Sequence, residues 1–226
     1  MDRGRQTGGD RRAGTGALTA GRPPGTRATQ GLGAPQQREH GAGVSSVPTI
    51  VLGVTGSIAA HRAVDLCSLL VQARLNVRVV MTADAQRFVT SVPFQTLSRN
   101  PVLTDLYAED GWKPAHIQLA DDASVLVIAP ATAHCMARVA LGLADDALTS
   151  LALAVNPEAR LLMAPAMNGR MWQHPATQGH AATLRQRGWE FLGPEEGLLA
   201  CGYAGLGRLW PVEAIASRIQ VLAARG

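Results

Sequence analysis

Three polar side chains stand in short sequence contexts that could support chemistry. His116 carries an imidazole, which titrates near neutral pH and can therefore move a proton. Asn168 follows an apolar run, and an amide side chain at a strand end can hold a carboxylate. Cys201 is flanked by glycines, which predicts an exposed loop carrying a second proton-transfer group. Taken singly, each has a structural interpretation as a core histidine, a turn asparagine or a small buried thiol.

A glycine turn near the start of the apolar sequence offers a place for a phosphate. The segment Gly53-Val-Thr-Gly56-Ser57 follows a predicted strand and precedes a helix rich in Ala and Leu. Free N–H groups at a helix start, with a hydroxyl beside them, form a phosphate cradle. It is neither a Walker loop nor a GxGxxG fingerprint, because the lysine and the third glycine are missing. Ser57 could equally be only a helix cap.

Further candidates stand at the ends of the next two predicted strands. Thr82 could cap a helix or touch a ligand, and Phe88 could line a ring or fill the core. Residues 130–135 read Pro-Ala-Thr-Ala-His-Cys, which combines small side chains with the unpaired N–H groups of a helix start. That combination lets the backbone approach a flat ligand closely.

Five apolar runs of strand length alternate with helix-like stretches. They cover residues 49–54, 77–81, 125–129, 160–164 and 189–192. The runs are continuous rather than alternating, as expected of parallel strands that helices cover on both faces. We therefore predict an α/β fold, a doubly wound parallel sheet of the Rossmann-like, three-layer α/β/α type. Ligands bind beyond the carboxyl ends of such strands, where the candidate residues stand.

Composition separates the first 46 residues from the rest. Residues 1–46 hold seven Arg and three acidic residues, so the net charge of +4 lies there and the remainder is neutral. We predict a leader over residues 1–46 that is disordered or arises from a mis-called start codon, and one domain over residues 47–226. Because the basic residues lie in a segment without apolar periodicity, we expect no nucleic-acid partner.

Several other classes of protein are disfavoured. No apolar run approaches the 18 or more residues of a membrane helix, and the leader lacks the apolar centre of a secretory signal. We expect a soluble cytoplasmic protein with no membrane partner. The cysteines Cys67, Cys135 and Cys201 are odd in number and widely spaced, without a histidine at metal-ligand spacing, so we expect neither structural disulfides nor a metal site.

Taken together and in this order, the motifs resemble those of the flavin-containing cysteine decarboxylases. The similarity runs from about residue 50 to residue 219. Its six anchors are Gly56-Ser-Ile-Ala-Ala60, His116-Ile-Gln-Leu119, Pro130-Ala-Thr-Ala133, Gly142-Leu-Ala-Asp-Asp-Ala-Leu148, Pro165-Ala-Met-Asn-Gly-Arg-Met-Trp172 and Leu199-Ala-Cys-Gly-Tyr-Ala-Gly-Leu-Gly-Arg208. The resemblance implies FMN as cofactor and the cysteine moiety of 4′-phosphopantothenoylcysteine, on the route to coenzyme A, as the group decarboxylated.

The resemblance also implies the residues of the site. The implied cofactor-binding residues are Gly56, Ser57, Thr82, Phe88, Thr132, Ala133, His134, Cys135 and Ala166. His116 falls on the family's active histidine and Asn168 on the asparagine that holds the substrate carboxylate. Cys201 falls on the cysteine of the reductive half-reaction, with Ala200 and Gly202 beside it on a flap over the substrate. His134 and Cys135 depart from the family pattern, in which an Asn-Thr pair is found.

The family resemblance has implications for partners and leaves alternatives open. It implies a homo-oligomer, a trimer or a multiple of trimers whose subunits share each flavin site, and a separate ligase that supplies the substrate. A peptidyl-cysteine decarboxylase that releases an ene-thiol is the nearest alternative, and Cys201 argues against it. A flavin prenyltransferase and a non-catalytic regulatory flavoprotein are the others; the intact His116, Asn168 and Cys201 weigh against the latter.

Overall fold

A six-stranded parallel sheet forms the centre of the structure, a computed structural model that describes residues 47–107, 114–198, 202 and 204–224. The strand order is β3-β2-β1-β4-β5-β6, so the direction of winding reverses between β1 and β4. The predicted leader lies outside the described residues, which belong to a single compact unit, Val44–Gly226. The strands are β1 Thr49–Val54, β2 Asn76–Met81, β3 Val102–Leu103, β4 Val125–Ala131, β5 Arg160–Pro165 and β6 Trp189–Phe191.

Apolar residues make the middle strands inaccessible to water on both faces. Every residue of β4 is buried, as are five of the six residues of β1. This burial explains why their sequences run continuously apolar instead of alternating. The doubly wound sheet predicted from that pattern is confirmed.

Helices cover the sheet in two layers. Helices α1, α2 and α8 pack on one face, around Leu66, Phe94 and Ile215, while α3, α4, α5 and α7 pack on the other face. The helices are α1 Arg62–Gln72, α2 Ser91–Ser98, α3 Ala115–Asp122, α4 Ala133–Leu141, α5 Ala147–Ala154, α6 Gly169–Gln173, α7 Pro175–Gln186 and α8 Val212–Ala223. In the part of the chain that is described, none is long and apolar enough to cross a bilayer. The predicted three-layer α/β/α architecture is confirmed.

The pairing of β4 with β5 contains one extra residue. Ile128 pairs with Met163, but the next pair is Ala131 with Pro165, so β4 uses three residues where β5 uses two. Such an offset is a bulge, which redirects the strand that carries it. It lies immediately before the residues that begin α4.

A short antiparallel hairpin, β7 Glu195–Leu198 and β8 Ala204–Arg208, lies outside the main sheet. Its second strand is held against the segment that follows β5, because Met167 N–H donates to Gly207 O at 3.0 Å. A Cβ at Gly207 would overlap the Met167 carbonyl oxygen. Glycine is therefore required for this close backbone approach.

Candidate active site

A cavity of about 580 Å³ opens beyond the carboxyl ends of β1, β2, β4 and β5. It includes the point between β1 and β4 where the strand order reverses, which is where doubly wound sheets bind ligands. Its volume falls in the range of cofactor and small-molecule sites. Of the sequence-predicted residues it is lined by Gly56, Ser57, Thr82, Thr132, Ala133, His134, Cys135, Ala166 and Asn168.

Thr55 joins the two strands that flank the reversal of strand order. Its side chain, 1% exposed, donates to Pro130 O at 2.6 Å and accepts from Thr132 N–H at 3.1 Å. These bonds satisfy the buried carbonyl of Pro130 and the part-buried amide of Thr132. The two bonds hold the ends of β1 and β4 together at the floor of the cavity. The sequence alone did not identify Thr55 as a residue of the site.

Ser57 has the capping role considered above and a second contact. It stands before the short helical turn Ile58–His61, and its Oγ accepts from Ala59 N–H at 3.3 Å. The same hydroxyl donates to Ala166 O at 3.2 Å, which connects the end of β1 to the end of β5. Next to it, a Cβ at Gly56 would overlap Asp84. Glycine here lets the turns after β1 and β2 meet at the cavity wall.

The start of α4 forms one wall of the cavity. Thr132 caps this helix by accepting from Cys135 N–H at 3.2 Å. Burial, with a smaller contribution from the nearby Asp146 carboxylate that Arg138 partly offsets, raises the pKa of the Cys135 thiol to about 12. Cys135 therefore stays protonated at neutral pH and is not an activated nucleophile. His134, one residue earlier, is exposed at the cavity edge.

Asn168 stands where the chain leaves β5 and enters α6. Its Oδ1 accepts from Arg170 N–H at 2.9 Å, so the side chain caps the helix and is held in place. The residue is half-buried and lines the cavity together with Met167 and Met171. A neutral amide thus faces a space large enough for an organic ligand.

An ion-pair cluster that the sequence analysis missed lies at the far wall. Arg138 of α4 donates to Asp146 at 2.6 Å, to Thr149 Oγ1 at 3.2 Å and to Asp145. Burial alone would lower the pKa of Arg138, but these bonds outweigh it and raise the pKa, so the guanidinium stays charged. Its bond to Asp145 lowers the pKa of that carboxyl group. The signal in the sequence was the acidic pair 145–146, which requires a cation when it is near a core.

Not all predicted residues come together in this cavity. His116 lies on α3, half-buried and away from the cavity lining, and its buried Nδ1 makes no hydrogen bond to any described residue. Phe88 is 51% exposed and also lies outside the lining. Gly202, with φ +89, is not part of the lining. Ala200 and Cys201 lie outside the described residues.

Comparison with known sequences gives the family and several named relatives. A family profile described as Flavoprotein matches residues 41–223. The coenzyme A biosynthesis bifunctional protein CoaBC of Bacillus subtilis is 47% identical over 161 residues, covering 71% of this chain and 39% of that protein. A probable phosphopantothenoylcysteine decarboxylase of Streptococcus mutans is 40% identical over 172 residues, covering 76% of this chain and 96% of that protein. The chain thus spans about two fifths of the length of the bifunctional relatives it matches.

Solved structures share the fold. A cysteine-to-serine mutant of PPC decarboxylase, complexed with pantothenoylaminoethenethiol, superposes with a TM-score of 0.70 at 30% identity, covering 77% of this chain and 97% of that chain. The FMN-dependent cysteine decarboxylase SpaF superposes with a TM-score of 0.69 at 32% identity, covering 78% of this chain and 97% of that chain. The family match extends over most of the sequence. The chain belongs to the flavoprotein family.

Proposed function

We propose that this protein decarboxylates the cysteine moiety of 4′-phosphopantothenoylcysteine, using FMN, and reduces the product to 4′-phosphopantetheine for coenzyme A biosynthesis. The observation that carries the proposal is the cavity at the reversal of strand order, which Asn168 and the start of α4 both line. Similarity to the Streptococcus mutans relative over nearly its full length supports it.

The residues around the cavity fit a flavin mononucleotide. Helical segments begin at Ser57, Thr132 and Asn168, and helix starts favour phosphate and other anionic or acceptor groups. The side chains of Ala133 and Ala166 are small enough for a flat ring to approach the backbone. In the proposal Gly56 and Ser57 hold the phosphate, while Thr82, Thr132, Ala133, His134, Cys135 and Ala166 line the ring.

The chemistry explains why a flavin is needed. A cysteine carboxylate cannot lose carbon dioxide while nothing accepts the electron pair of the breaking bond. FMN bound by these residues would supply a two-electron sink for the carbon that bears sulfur. With that carbon at the thioaldehyde level, β to the carboxylate, carbon dioxide could leave as an ene-thiolate forms. Because the electrons would return to the product, the reaction would have no net redox change and would need no nicotinamide.

Asn168 orients the carboxylate that is lost. Its Oδ1 accepts from Arg170 N–H, and an amide of this kind offers N–H donors but no charge to a carboxylate. A neutral donor suits the role because a cation would stabilise the departing carboxylate more than the transition state. The helix cap holds the amide in one orientation before substrate arrives.

His116 is proposed as the acid–base group of the oxidation, which requires a second subunit. Within one chain it lies away from the cavity, and so does Phe88. Both residues can take their proposed places only if a neighbouring copy presents them to the cavity. We therefore propose a homo-oligomer, a trimer or a multiple of trimers, whose subunits share each flavin site.

Two further parts of the proposal rest on sequence alone. Cys201, with Ala200 and Gly202 beside it, is proposed to protonate the ene-thiolate so that the hydride can return; Cys201 lies outside the described residues. A separate ligase that supplies the substrate is proposed from the family resemblance.

The product of one anaerobic reaction tests the proposal. The purified protein should show a flavin spectrum and convert 4′-phosphopantothenoylcysteine into a product lighter by carbon dioxide. Cys201→Ser should release a species lighter by two further hydrogens, because decarboxylation proceeds without the reduction. No turnover by the flavin-loaded wild type would contradict the proposal.

A second candidate function follows from the similarity to SpaF, a cysteine decarboxylase at 32% identity. In this alternative the protein releases an ene-thiol from a peptide. The same mass measurement separates the two functions. If the wild type already yields the lighter ene-thiol, reduction is absent and the peptide-modifying activity is favoured.

A further inference from the structure

A second cavity, of about 470 Å³, lies beside the first and shares a wall with it. The residues common to both linings are Ile58, Ala59, Arg208 and Leu209. The two cavities are therefore adjacent, so the second lies within reach of the arm of a ligand whose reactive end lies in the first. A substrate with a long arm and a charged terminus needs such a continuation.

Arg208 stands at the junction of the two cavities with its charge largely unengaged. Its guanidinium lies across the backbone of Gly197, where a Cβ would come within 2.9 Å of Nη1. The ion pair from Nη2 to Glu195 Oε2 is 3.8 Å long, which is beyond hydrogen-bonding distance. Within residues 47–107, 114–198 and 204–224, Arg208 makes no hydrogen bond through its side chain. A planar set of N–H donors is thus available to a ligand.

The cations of the neighbouring walls are already engaged. In the first cavity, Arg138 is paired with two aspartates. In the second, Arg62 Nη1 donates to Asp65 at 2.8 Å, and its Nη2 lies 3.9 Å from Glu213. Arg208 is therefore the lining arginine, among those the structure describes, that is best able to bind an added anion.

A histidine lies on the same wall and can assist Arg208. His61 Nδ1 lies 2.9 Å from Ile58 O, and because a carbonyl only accepts, Nδ1 carries the proton. Nε2 is then the ring nitrogen that is left to meet a ligand. The lining of the second cavity carries Arg62, Arg208 and Glu213, a net charge of one positive unit before His61 is counted.

The walls between these polar groups are apolar and exposed. Ile58 is 63% exposed and Leu198 is 70% exposed, and Trp210 completes this side of the cavity. Such side chains suit the hydrocarbon and amide arm that separates a thiol from a terminal phosphate. The second cavity therefore combines an apolar passage with an unengaged cation.

We infer that Arg208, assisted by His61, binds the phosphate monoester at the far end of the substrate in the second cavity while the cysteine end occupies the first. This inference rests on the proposed function and extends it to substrate selection. A planar guanidinium binds phosphate oxygens through two parallel hydrogen bonds, which gives discrimination against an uncharged hydroxyl.

A comparison of two substrates tests the inference. The value of kcat/KM is measured for 4′-phosphopantothenoylcysteine and for pantothenoylcysteine, in the wild type and in Arg208→Gln. Loss of a charge-assisted hydrogen bond should lower kcat/KM for the phosphorylated substrate by about 10- to 100-fold. For the unphosphorylated substrate the change should stay within about 3-fold. Arg208→Lys should keep part of the preference, since it keeps the charge but not the planar donor pair.

A matched control and a second readout keep the test decisive. Arg160→Gln removes the same charge at the exposed start of β5 and should leave the substrate preference unchanged. Equal losses for both substrates in Arg208→Gln, or no loss, would overturn the inference. If the wild type turns over neither substrate, the proposed function fails separately. In that case, calorimetric titration gives the dissociation constants of 4′-phosphopantothenate and pantothenate. The inference is wrong if Arg208→Gln binds 4′-phosphopantothenate as tightly as the wild type does.

Discussion

The floor and the rim of the first cavity are built in opposite ways. The floor, defined by Thr55, Ser57, Thr132 and Ala166, is closed by hydrogen bonds between the ends of β1, β4 and β5. The rim, defined by Ile58, Asn168, Met171 and Arg208, consists of half-buried or exposed side chains. Floor residues satisfy buried backbone groups that folding requires in any case. Rim residues, apart from the helix cap that Asn168 provides, hold polar and apolar groups that no described backbone contact requires.

The largest expected effect comes from the rim, at Asn168. Asn168→Asp keeps an oxygen for the helix cap but places a negative charge against the substrate carboxylate, so we expect kcat/KM to fall by about 1000-fold. Flavin absorbance and the free energy of unfolding should change little. Asn168→Ser, which also caps but adds no charge, should lose less activity. Wild-type turnover in Asn168→Asp would remove Asn168 from the site.

The next effect is expected in the floor, at Thr55. Thr55→Val keeps the shape but leaves the buried Pro130 O and the part-buried Thr132 N–H without this partner, so the free energy of unfolding should fall by about 2–4 kcal/mol. Urea unfolding measures this loss. Thr183→Val, at an exposed hydroxyl on α7, is the matched control and should cost under about 0.5 kcal/mol. Equal losses in both variants would mean that the floor is not held by this hydroxyl.

The buried thiol of Cys135, beside the cavity floor, should make the free energy of unfolding depend on pH. Its pKa is about 12 in the folded chain against 9.0 ordinarily, so below pH 9 the thiol is protonated in both states and full stability is present. As the pH rises from 9 towards 12 the unfolded chain loses the proton and the folded chain does not, which favours unfolding. At pH 10 the loss in the free energy of unfolding is about 1 kcal/mol. Urea midpoints at pH 8 and pH 10 should differ less in Cys135→Ala than in the wild type; an identical difference would show that the thiol ionises normally.

The smallest expected effect on stability is at the rim, at Met171. This side chain is 51% exposed, so Met171→Ala should change the free energy of unfolding by less than about 0.5 kcal/mol. Its neighbour Trp172 is 6% exposed, and Trp172→Ala should cost about 3–5 kcal/mol. Thermal unfolding of the two variants measures the contrast. Similar losses of unfolding free energy in the two variants would show that Met171 is as important for folding as the buried Trp172.

The sequence predicted the strands best where burial alone determines them. The first run, residues 49–54, coincides with β1, and the runs at 125–129 and 160–164 stop just short of the observed ends, where prolines follow. The two-residue β3 is too short to give a pattern. The β7–β8 hairpin was missed because its glycines and glutamates resemble a loop, and its pairing depends on contact with Met167.

For the cavity, sequence reasoning found residues at strand ends and missed those whose place depends on packing. Ser57, Thr132 and Asn168 follow strands directly, so the parallel sheet brings them together. Arg138 lines the cavity only because α4 and α5 pack side by side and supply its aspartate partners. His116 lies apart in a single chain, and no pattern in one sequence says which residues meet across an interface.

The extra residue where β4 pairs with β5 determines to which face of the sheet each following side chain points. Side chains alternate between the two faces of a strand, so one added residue exchanges inward and outward positions from that point on. The direction in which the chain enters α4 therefore depends on the number of residues in this part of β4. Without the extra residue, the side chains that follow in β4 would point to the opposite faces of the sheet.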